Sequence, residues 1–219
     1  MKRGLIVSCQ ALPEEPLHGS IFMGKMAKAA MESGAVGIRA NGVPDILEIK
    51  KHVDLPMIGI IKKQYPDRMV YITPTHKEIE DLMNINVEVI ALDATINQDE
   101  SFLRTLKQKY PQQRFMADIS TIEEGIRAEQ FGLDYIGSTL VGYTEQSKGL
   151  NKFCVLESLI AKCKNPVIAE GNFNTPADAA KAMEMGAYAV VVGSAITRPQ
   201  VIARRFVEAV EPVLKREKL

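Results

Sequence analysis

Eight short apolar runs rich in valine and isoleucine recur along the chain, and this recurrence restricts its fold more than any other feature. They cover residues 4–9, 35–40, 57–61, 87–92, 114–119, 134–139, 166–170 and 187–193. Short apolar runs without polar alternation are typical of strands covered on both faces, as in a parallel sheet. Helix-like stretches separate the runs, for example residues 21–33, 99–110, 121–131 and 175–185. The alternation predicts an α/β architecture.

Glycines mark the ends of several predicted helices. Gly34, Gly132 and Gly186 each stand where a helix gives way to the next strand, and glycine adopts without steric cost the left-handed conformation that ends a helix. Eight strands, each followed by a helix or its remnant, predict a single (β/α)8 barrel, or TIM barrel, over residues 1–219. Residues 69–75 are expected to elaborate the loop after the third strand.

An open doubly wound sheet is the main alternative for an alternating chain. Such a sheet normally binds its ligand on a glycine-rich turn after the first strand. Here that turn reads SCQALPEEP and contains no glycine. A dinucleotide site is therefore not expected.

The charge balance narrows the range of partners. The chain carries 27 lysines and arginines against 27 aspartates and glutamates, so no field of one sign favours nucleic acid or an anionic membrane. No apolar run approaches the ~20 residues that a membrane-spanning helix needs, and no signal segment is recognised. We predict a soluble protein that holds any charged ligand by local contacts.

The cysteines and histidines form no recognisable site. Cys9, Cys154 and Cys163 show neither a disulfide framework nor a zinc-binding spacing, which indicates a reducing, cytoplasmic location. The three histidines are isolated and form no HxH or HExxH pair, so no metal site is expected. No GxSxG elbow presents a serine nucleophile, although a Ser/His/Asp triad stays open.

Polar residues stand at almost every predicted strand end. In a (β/α)8 barrel the chemistry sits at the carboxyl ends of the strands. The residues there are Gln10, Arg39, Lys62, Asp93, Asp118, Thr139, Glu170 and Gly193. One charged strand end alone is often merely solvated, but a barrel mouth brings all eight within reach of one small molecule. The combination of amine, guanidinium, carboxylate and amide groups indicates such a site.

The last two strand ends indicate an anion site. Gly171 follows Glu170, and Gly193 and Ser194 open a short predicted helix with Arg198 near its end. Bare glycine backbone lets amide groups approach an anion closely, and these two loops commonly bind phosphate in such barrels. The alternative, that the glycines only make tight turns, stays open.

Sequence motifs along the chain resemble those of the N-acetylmannosamine-6-phosphate 2-epimerases. The matching stretches are GLIVSCQALPEEPLH (4–18), GIRANG (37–42), IGIIKK (58–63), YITPT (71–75), VIALDAT (89–95), MADIST (116–121), IGSTLVGYT (136–144), IAEGNFNTP (168–176) and VVGSAITRP (191–199). The resemblance implies a (β/α)8 barrel without a cofactor. It also implies the interconversion of N-acetylmannosamine 6-phosphate and N-acetylglucosamine 6-phosphate, a cytoplasmic step of sialic acid breakdown.

The same resemblance implies residue roles. Lys62, rather than Lys63, matches the family's catalytic lysine, and Glu170 matches its conserved acid. At the position of Asn172, some relatives carry arginine and others asparagine. The resemblance and the strand-end positions together predict the substrate-binding residues Gln10, Arg39, Asp118 and Thr139. The predicted phosphate-binding residues are Gly171, Asn172, Gly193, Ser194 and Arg198.

Epimerisation at C2 requires an acid/base group. The closed sugar ring has no carbonyl beside C2, so the ring must open to an aldehyde before the C2 proton can be abstracted. We hypothesise that Lys62 moves this proton and that Glu170 shuttles a proton during ring opening and closing. A free lysine, with a pKa of about 10.4, is protonated at neutral pH. Arg39 would lower that pKa and Asp118 would raise it, and the sequence leaves open which effect prevails.

Two other functions stay open. A lysine at a barrel strand end also suits a Schiff-base aldolase acting on a phosphorylated sugar acid. A non-catalytic sugar-phosphate sensor would keep the barrel and the phosphate site, although it would not need both Lys62 and Glu170.

The last predicted helix, residues 201–217, carries apolar residues at helical spacing. These are Val201, Phe206, Val210, Val213 and Leu214. Their spacing predicts that the helix packs on the outside of the barrel. The resembling family is dimeric, so a homodimer involving this helix is a further hypothesis.

Overall fold

Eight parallel strands close into a barrel in chain order within residues 1–216, which are the residues that this computed structural model describes. The strands are β1 (Gly4–Cys9), β2 (Gly37–Asn41), β3 (Met57–Ile60), β4 (Val89–Asp93), β5 (Arg114–Asp118), β6 (Tyr135–Gly137), β7 (Val167–Ala169) and β8 (Ala189–Val192). The predicted (β/α)8 barrel is confirmed, and the doubly wound alternative is wrong. Residues 217–219, which the predicted domain and in part the predicted last helix include, lie outside the described residues.

Helices follow the strands around the barrel. They are α1 (Ser20–Glu32), α2 (Val43–Lys50), α3 (His76–Met83), α4 (Glu100–Lys109), α5 (Ile122–Gln130), α6 (Lys152–Lys162), α7 (Pro176–Glu184), α8 (Ser194–Thr197) and α9 (Pro199–Arg216). A short 3-10 turn at Glu145–Ser147 precedes α6. In the part of the chain that the structure describes, none of the helices combines the length and apolar character that a membrane span requires.

The predicted helix ends are confirmed by backbone geometry. Gly34, Gly132 and Gly186 have φ of 93°, 83° and 105°, in the left-handed region that glycine tolerates. Thr121 caps α5 through a capping box with Glu124, because each satisfies a backbone N–H that the first helical turn leaves without a partner.

Alternate residues of each strand point into the barrel and form layers. The buried interior residues include Ile6, Ile58, Ile60, Val89, Ala91, Met116, Ile168, Ala189 and Val191. Since side chains alternate between the two faces of a strand, the residues two positions further on form the next layer toward the carboxyl ends. On β5 and β7 these are Asp118 and Glu170. The apolar layers therefore end where the polar strand-end residues begin.

A glycine makes room in the layer beneath the polar ends. A Cβ atom on Gly137 would lie 2.1 Å from Cε of Met116, so any side chain there would displace the methionine. Met116 in turn contacts the Arg39 guanidinium, with Nη1 to Sδ at 3.9 Å. The small residue on β6 thus allows a methionine thioether to support a buried cation.

Residues 69–75 form the expected elaboration after β3. Ile72 makes an antiparallel bridge with Lys62, and the Thr73 amide donates to the Ile61 carbonyl at 2.8 Å. The Thr73 hydroxyl donates to the carbonyl of Ala91 on β4 at 2.7 Å. The segment therefore folds back over β3 and fixes the backbone of Lys62.

The prediction that the last helix packs on the barrel is wrong for most of its length. Val201 is half-buried at the start of α9, but Phe206 is 70% exposed and Val210, Val213 and Leu214 are each more than half exposed. The helical spacing of apolar residues identifies an amphipathic helix, but it does not specify which surface the apolar face meets.

Candidate active site

A cavity of about 280 Å³ opens at the carboxyl ends of the strands, and every predicted site residue except Asp118 lines it. These residues come from the ends of different strands and from the loops that follow them. The barrel therefore brings together groups that lie as far apart in sequence as Gln10 and Arg198. A volume of this size suits a small ligand.

Arg39 lies at the centre of the polar layer and is 1% exposed. Its Nη1 and Nη2 donate to the two carboxylate oxygens of Asp118 at 3.1 and 2.6 Å, and Nη1 also donates to Oε2 of Glu170 at 2.9 Å. The buried Nε has no hydrogen-bond partner among the described residues. Paired carboxylates keep the guanidinium charged, since a bidentate ion pair offsets part of the cost of burial.

Lys62 lies beyond the end of β3 and lines the same cavity. Its backbone amide donates to Oδ1 of Asn41 at 2.8 Å, which fixes the position of the residue. Burial lowers the pKa of the amine, and the positive charges of Arg39 and Arg198 lower it further, while Glu170 and Asp118 act in the opposite direction. Burial and the cations prevail, so the structure answers the question that the sequence left open.

Glu170 follows β7 and contacts Arg39 from the cavity side. Its backbone amide and carbonyl both bond to the Ser138 hydroxyl, at 3.1 and 2.8 Å, so the loop holds the side chain in place. Burial raises the pKa of this carboxyl to about 7, with a further increase from Asp118 and opposition from Arg39. A pKa in this range suits a group that gives and takes a proton in turn.

Asp118 lies beneath the cavity rather than on its wall. It is 0% exposed, and besides Arg39 it accepts the Thr139 hydroxyl proton at 2.6 Å. The carboxylate therefore orients two cavity residues from below. Direct contact of Asp118 with a substrate stays a prediction.

Asp93 also lies outside the cavity wall. Its Oδ1 accepts from the amide and hydroxyl of Thr95 at 2.9 and 2.6 Å, and burial raises the pKa of the carboxyl to about 6. These bonds order the loop after β4. This strand-end carboxylate therefore stabilises the loop that follows it and does not line the cavity.

The predicted phosphate-binding residues line one side of the cavity. Gly171 has φ of 94°, and a Cβ there would lie 3.0 Å from the Thr139 carbonyl oxygen. A Cβ on Gly193 would lie 3.3 Å from Cβ of Ser8. Ser194 begins α8, and its hydroxyl accepts from Nη1 of Arg198 at 3.4 Å. Both glycines let backbone approach closely at this side.

Asn172 also lines the cavity, but its side chain is already engaged. It adopts φ of 59°, in the left-handed region where asparagine is tolerated. Its Oδ1 accepts the Tyr143 hydroxyl proton at 2.9 Å. A side-chain contact between Asn172 and a phosphate stays a prediction.

Several cavity residues were not predicted from the sequence, among them Ser8, Tyr71 and Tyr143. Ser8 faces inward on β1 and accepts from Nε2 of Gln10 at 2.8 Å, while Gln10 Oε1 is buried without a partner in the described part of the chain. Strand alternation could have identified Ser8. Tyr71 and Tyr143 come from loops after β3 and β6, where no periodic signal exists to reveal them.

Comparison with known proteins identifies close relatives. Residues 23–212 match the family model described as "Putative N-acetylmannosamine-6-phosphate epimerase". Two curated relatives named "Putative N-acetylmannosamine-6-phosphate 2-epimerase", from Borreliella afzelii and Clostridioides difficile, are 53% and 52% identical. The alignments cover 97% and 96% of this chain, respectively, and 97% of each relative.

Two solved structures are similar to this chain, one closely and one in fold alone. The structure of the N-acetylmannosamine-6-phosphate 2-epimerase from Clostridium perfringens is 50% identical with a TM-score of 0.87, covering 94% of this chain and 92% of that one. Thiamine phosphate pyrophosphorylase from Pyrococcus furiosus is similar at 15% identity with a TM-score of 0.61, covering 89% and 87%. The latter similarity shows the fold alone.

The Arg39–Asp118 pair makes a stability prediction. Asp118→Asn removes the charge that faces a buried guanidinium, so we expect the free energy of unfolding to fall by about 3 kcal/mol. Urea unfolding followed by circular dichroism measures this change. Asp81→Asn is the control, because Asp81 pairs with Lys77 on an exposed helix face at 3.2 Å and should leave stability unchanged. Equal stability of the two variants would contradict a structural role for the buried pair.

Proposed function

Because the chain belongs to the N-acetylmannosamine-6-phosphate epimerase family and is therefore a carbohydrate epimerase, we propose how its own residues act on the substrate. The reaction interconverts N-acetylmannosamine 6-phosphate and N-acetylglucosamine 6-phosphate, in the cytoplasm, as a step of sialic acid breakdown. The observation that carries the proposal is the juxtaposition in one cavity of Lys62, whose pKa is lowered, and Glu170, whose pKa is raised to about 7.

Ring opening comes first. The Glu170 carboxylate accepts the proton of the C1 hydroxyl and delivers it to the ring oxygen as the bond between C1 and that oxygen breaks. The product is an open chain with an aldehyde at C1. Glu170 suits both directions because a group whose pKa lies near the working pH can give or take a proton.

Proton transfer at C2 follows. The neutral amine of Lys62 takes the C2 proton, and the bond electrons move into an enolate with negative charge on the C1 oxygen. The ammonium then returns the proton to the other face of C2, and the ring closes on the epimer. All steps move protons and need no redox group.

Arg39 stabilises the enolate. Its Nε–H is buried without a hydrogen-bond partner in the described chain, whereas its two Nη atoms are held by carboxylates. One preorganised donor of this kind lowers an oxyanion transition state by ~3 kcal/mol. Gln10 Oε1 is likewise buried without a partner among the described residues, and it accepts a hydroxyl or amide proton of the sugar. Thr139 lines the cavity beside these groups and also contacts the sugar.

The phosphate binds on the side of the cavity that is lined by Gly171, Asn172, Gly193, Ser194 and Arg198. Backbone amides approach the phosphate where no Cβ intervenes, and Arg198 supplies charge. The binding energy of this non-reacting group positions C2 at Lys62. The cation also lowers the pKa of Lys62, so one residue serves both binding and chemistry.

Isotope exchange tests the role of Lys62. We expect Lys62→Met to reduce deuterium entry at C2 in heavy water by about 10³-fold, since the group that removes the proton is lost. The signal is followed by NMR with N-acetylmannosamine 6-phosphate as substrate. Lys63→Met is the matched control, because Lys63 is 46% exposed and its Nζ lies 3.7 Å from Glu78. Undiminished exchange in the Lys62 variant would reject the assignment.

Two measurements separate this function from the two alternatives. Reduction with borohydride tests the Schiff-base aldolase, and isotope exchange at C2 tests the sensor. Proton transfer predicts no covalent adduct at Lys62, whereas a Schiff-base aldolase predicts a trapped one. A non-catalytic sensor predicts binding of the sugar phosphate with no exchange at C2 in the unmodified protein.

The pH dependence tests the role of Glu170. We expect kcat/KM to fall as the pH drops through about 7, because the carboxylate form accepts the C1 proton and burial raises the pKa of Glu170 to about 7. Glu170→Gln should remove the contribution of Glu170 to this limb, leaving that of Lys62 protonation, and lower activity by about 10²-fold. The substrate phosphate, which titrates near pH 6, contributes equally in both proteins. A limb at the same pH in the variant would assign it to another group.

We further propose that the protein is a homodimer in which α9 buries its apolar face. Phe206, Val207, Val210, Val213 and Leu214 are each at least 52% exposed and share one helix face. Continuous exposed apolar surface of this kind is typical of an interface.

Light scattering tests the dimer. We expect about twice the chain mass of 24.2 kDa. The double variant Phe206→Glu, Val210→Glu should shift the mass to that of a monomer, because it places charge on the apolar face. Glu208→Gln on the same helix should leave the mass unchanged. A monomeric mass for the unmodified protein would remove the proposal.

A further inference from the structure

The loop that follows β1 is tied to the phosphate side of the cavity by one carboxylate. Glu15 Oε2 accepts the backbone amide proton of Leu12 at 2.7 Å, so the loop itself holds the carboxylate. Oε1 forms an ion pair with Arg198, 3.0 Å from its Nε, and accepts from Nε2 of Gln200 at 2.9 Å. Glu15 thus connects residues at opposite ends of the chain.

These contacts determine which edge of Arg198 is left for a ligand. A guanidinium is planar and presents its N–H groups in fixed directions. The Glu15 carboxylate lies against the Nε edge, 3.0 Å from Nε, and the Nη1 contact with the Ser194 hydroxyl is long, at 3.4 Å. Arg198 lines the cavity, so its Nη groups remain for an anion.

A carboxylate beside an anion site needs a reason, because its charge opposes that of a phosphate. Glu15 is 14% exposed and Arg198 25% exposed, so the pair is partly shielded from solvent. Without Glu15 the long arginine side chain would sample several rotamers, and binding would have to order it. Preorganisation improves affinity by removing that ordering cost.

We propose that Glu15 is a positioning residue for the substrate phosphate, which orients Arg198 and joins the loop after β1 to the phosphate side. The proposal rests on the phosphate site of the proposed function. It predicts that loss of the carboxylate weakens phosphate binding although it removes a repelling charge. A purely electrostatic effect has the opposite sign, and this difference makes the proposal testable.

Calorimetric titration with inorganic phosphate is the direct test. We expect Glu15→Ala to weaken binding about tenfold, and Glu15→Gln, which keeps one acceptor oxygen, to weaken it about threefold. Glu14→Ala is the matched control, because Glu14 is an exposed residue of the same loop and should leave binding unchanged. Phosphate binding as tight as that of the unmodified protein, or tighter, in both Glu15 variants would overturn the proposal.

A double-mutant cycle shows whether the effect passes through Arg198. In an Arg198→Lys background the planar fork is absent, so Glu15→Ala should change phosphate binding by less than about twofold. A full tenfold effect in that background would overturn the positioning role.

Kinetics separate this inference from the proposed function. With the sugar phosphate we expect Glu15→Ala to raise KM about tenfold and to leave kcat within about twofold, because the chemical groups are untouched. An equal fall in kcat with unchanged KM would overturn the inference. Absence of turnover in the unmodified protein would instead refute the epimerase mechanism, while the phosphate titration would still test Glu15.

Discussion

The buried guanidinium of Arg39 is the interaction on which the rest of the site depends. Two carboxylates, Asp118 and Glu170, hold it at a depth where an unpaired charge would be strongly unfavourable. Its charge helps to lower the pKa of Lys62, while burial of Glu170 raises that carboxyl's pKa against it. The cation therefore helps to lower the pKa of the amine, whereas at the carboxyl burial raises the pKa in spite of it.

The barrel supplies the conditions for this arrangement. Apolar interior layers exclude water from below, and Gly137 leaves the volume that Met116 fills beneath Arg39. Closure of the sheet, with β8 bonded to β1, brings Arg198 back beside the loop that carries Glu15. The residues proposed for the chemistry and those proposed for anion binding thus line one cavity, although they are distant along the chain.

Much of the fold follows from local patterns. Uninterrupted apolar runs indicated the parallel strands, and glycines indicated where α1, α5 and α7 stop. The strand-end rule identified the cavity residues, because parallel strands place all their carboxyl ends on one side. The rule failed for two carboxylates that bond to nearby protein groups and do not line the cavity. Asp93 accepts hydrogen bonds from its own loop, and Asp118 lies under Arg39. It also missed Tyr71, which reaches the cavity from an insertion.

The amino-acid sequence by itself determined the number and order of the strands, the helix boundaries and the set of polar groups at the barrel mouth, because these depend on residue periodicity and on backbone preferences within a few residues. Only the tertiary structure decided which carboxylate faces the cavity, which way the pKa of Lys62 moves, and that α9 leaves the barrel surface. Those outcomes depend on burial and on distances between charges from different strands, and neither quantity exists until the sheet has closed.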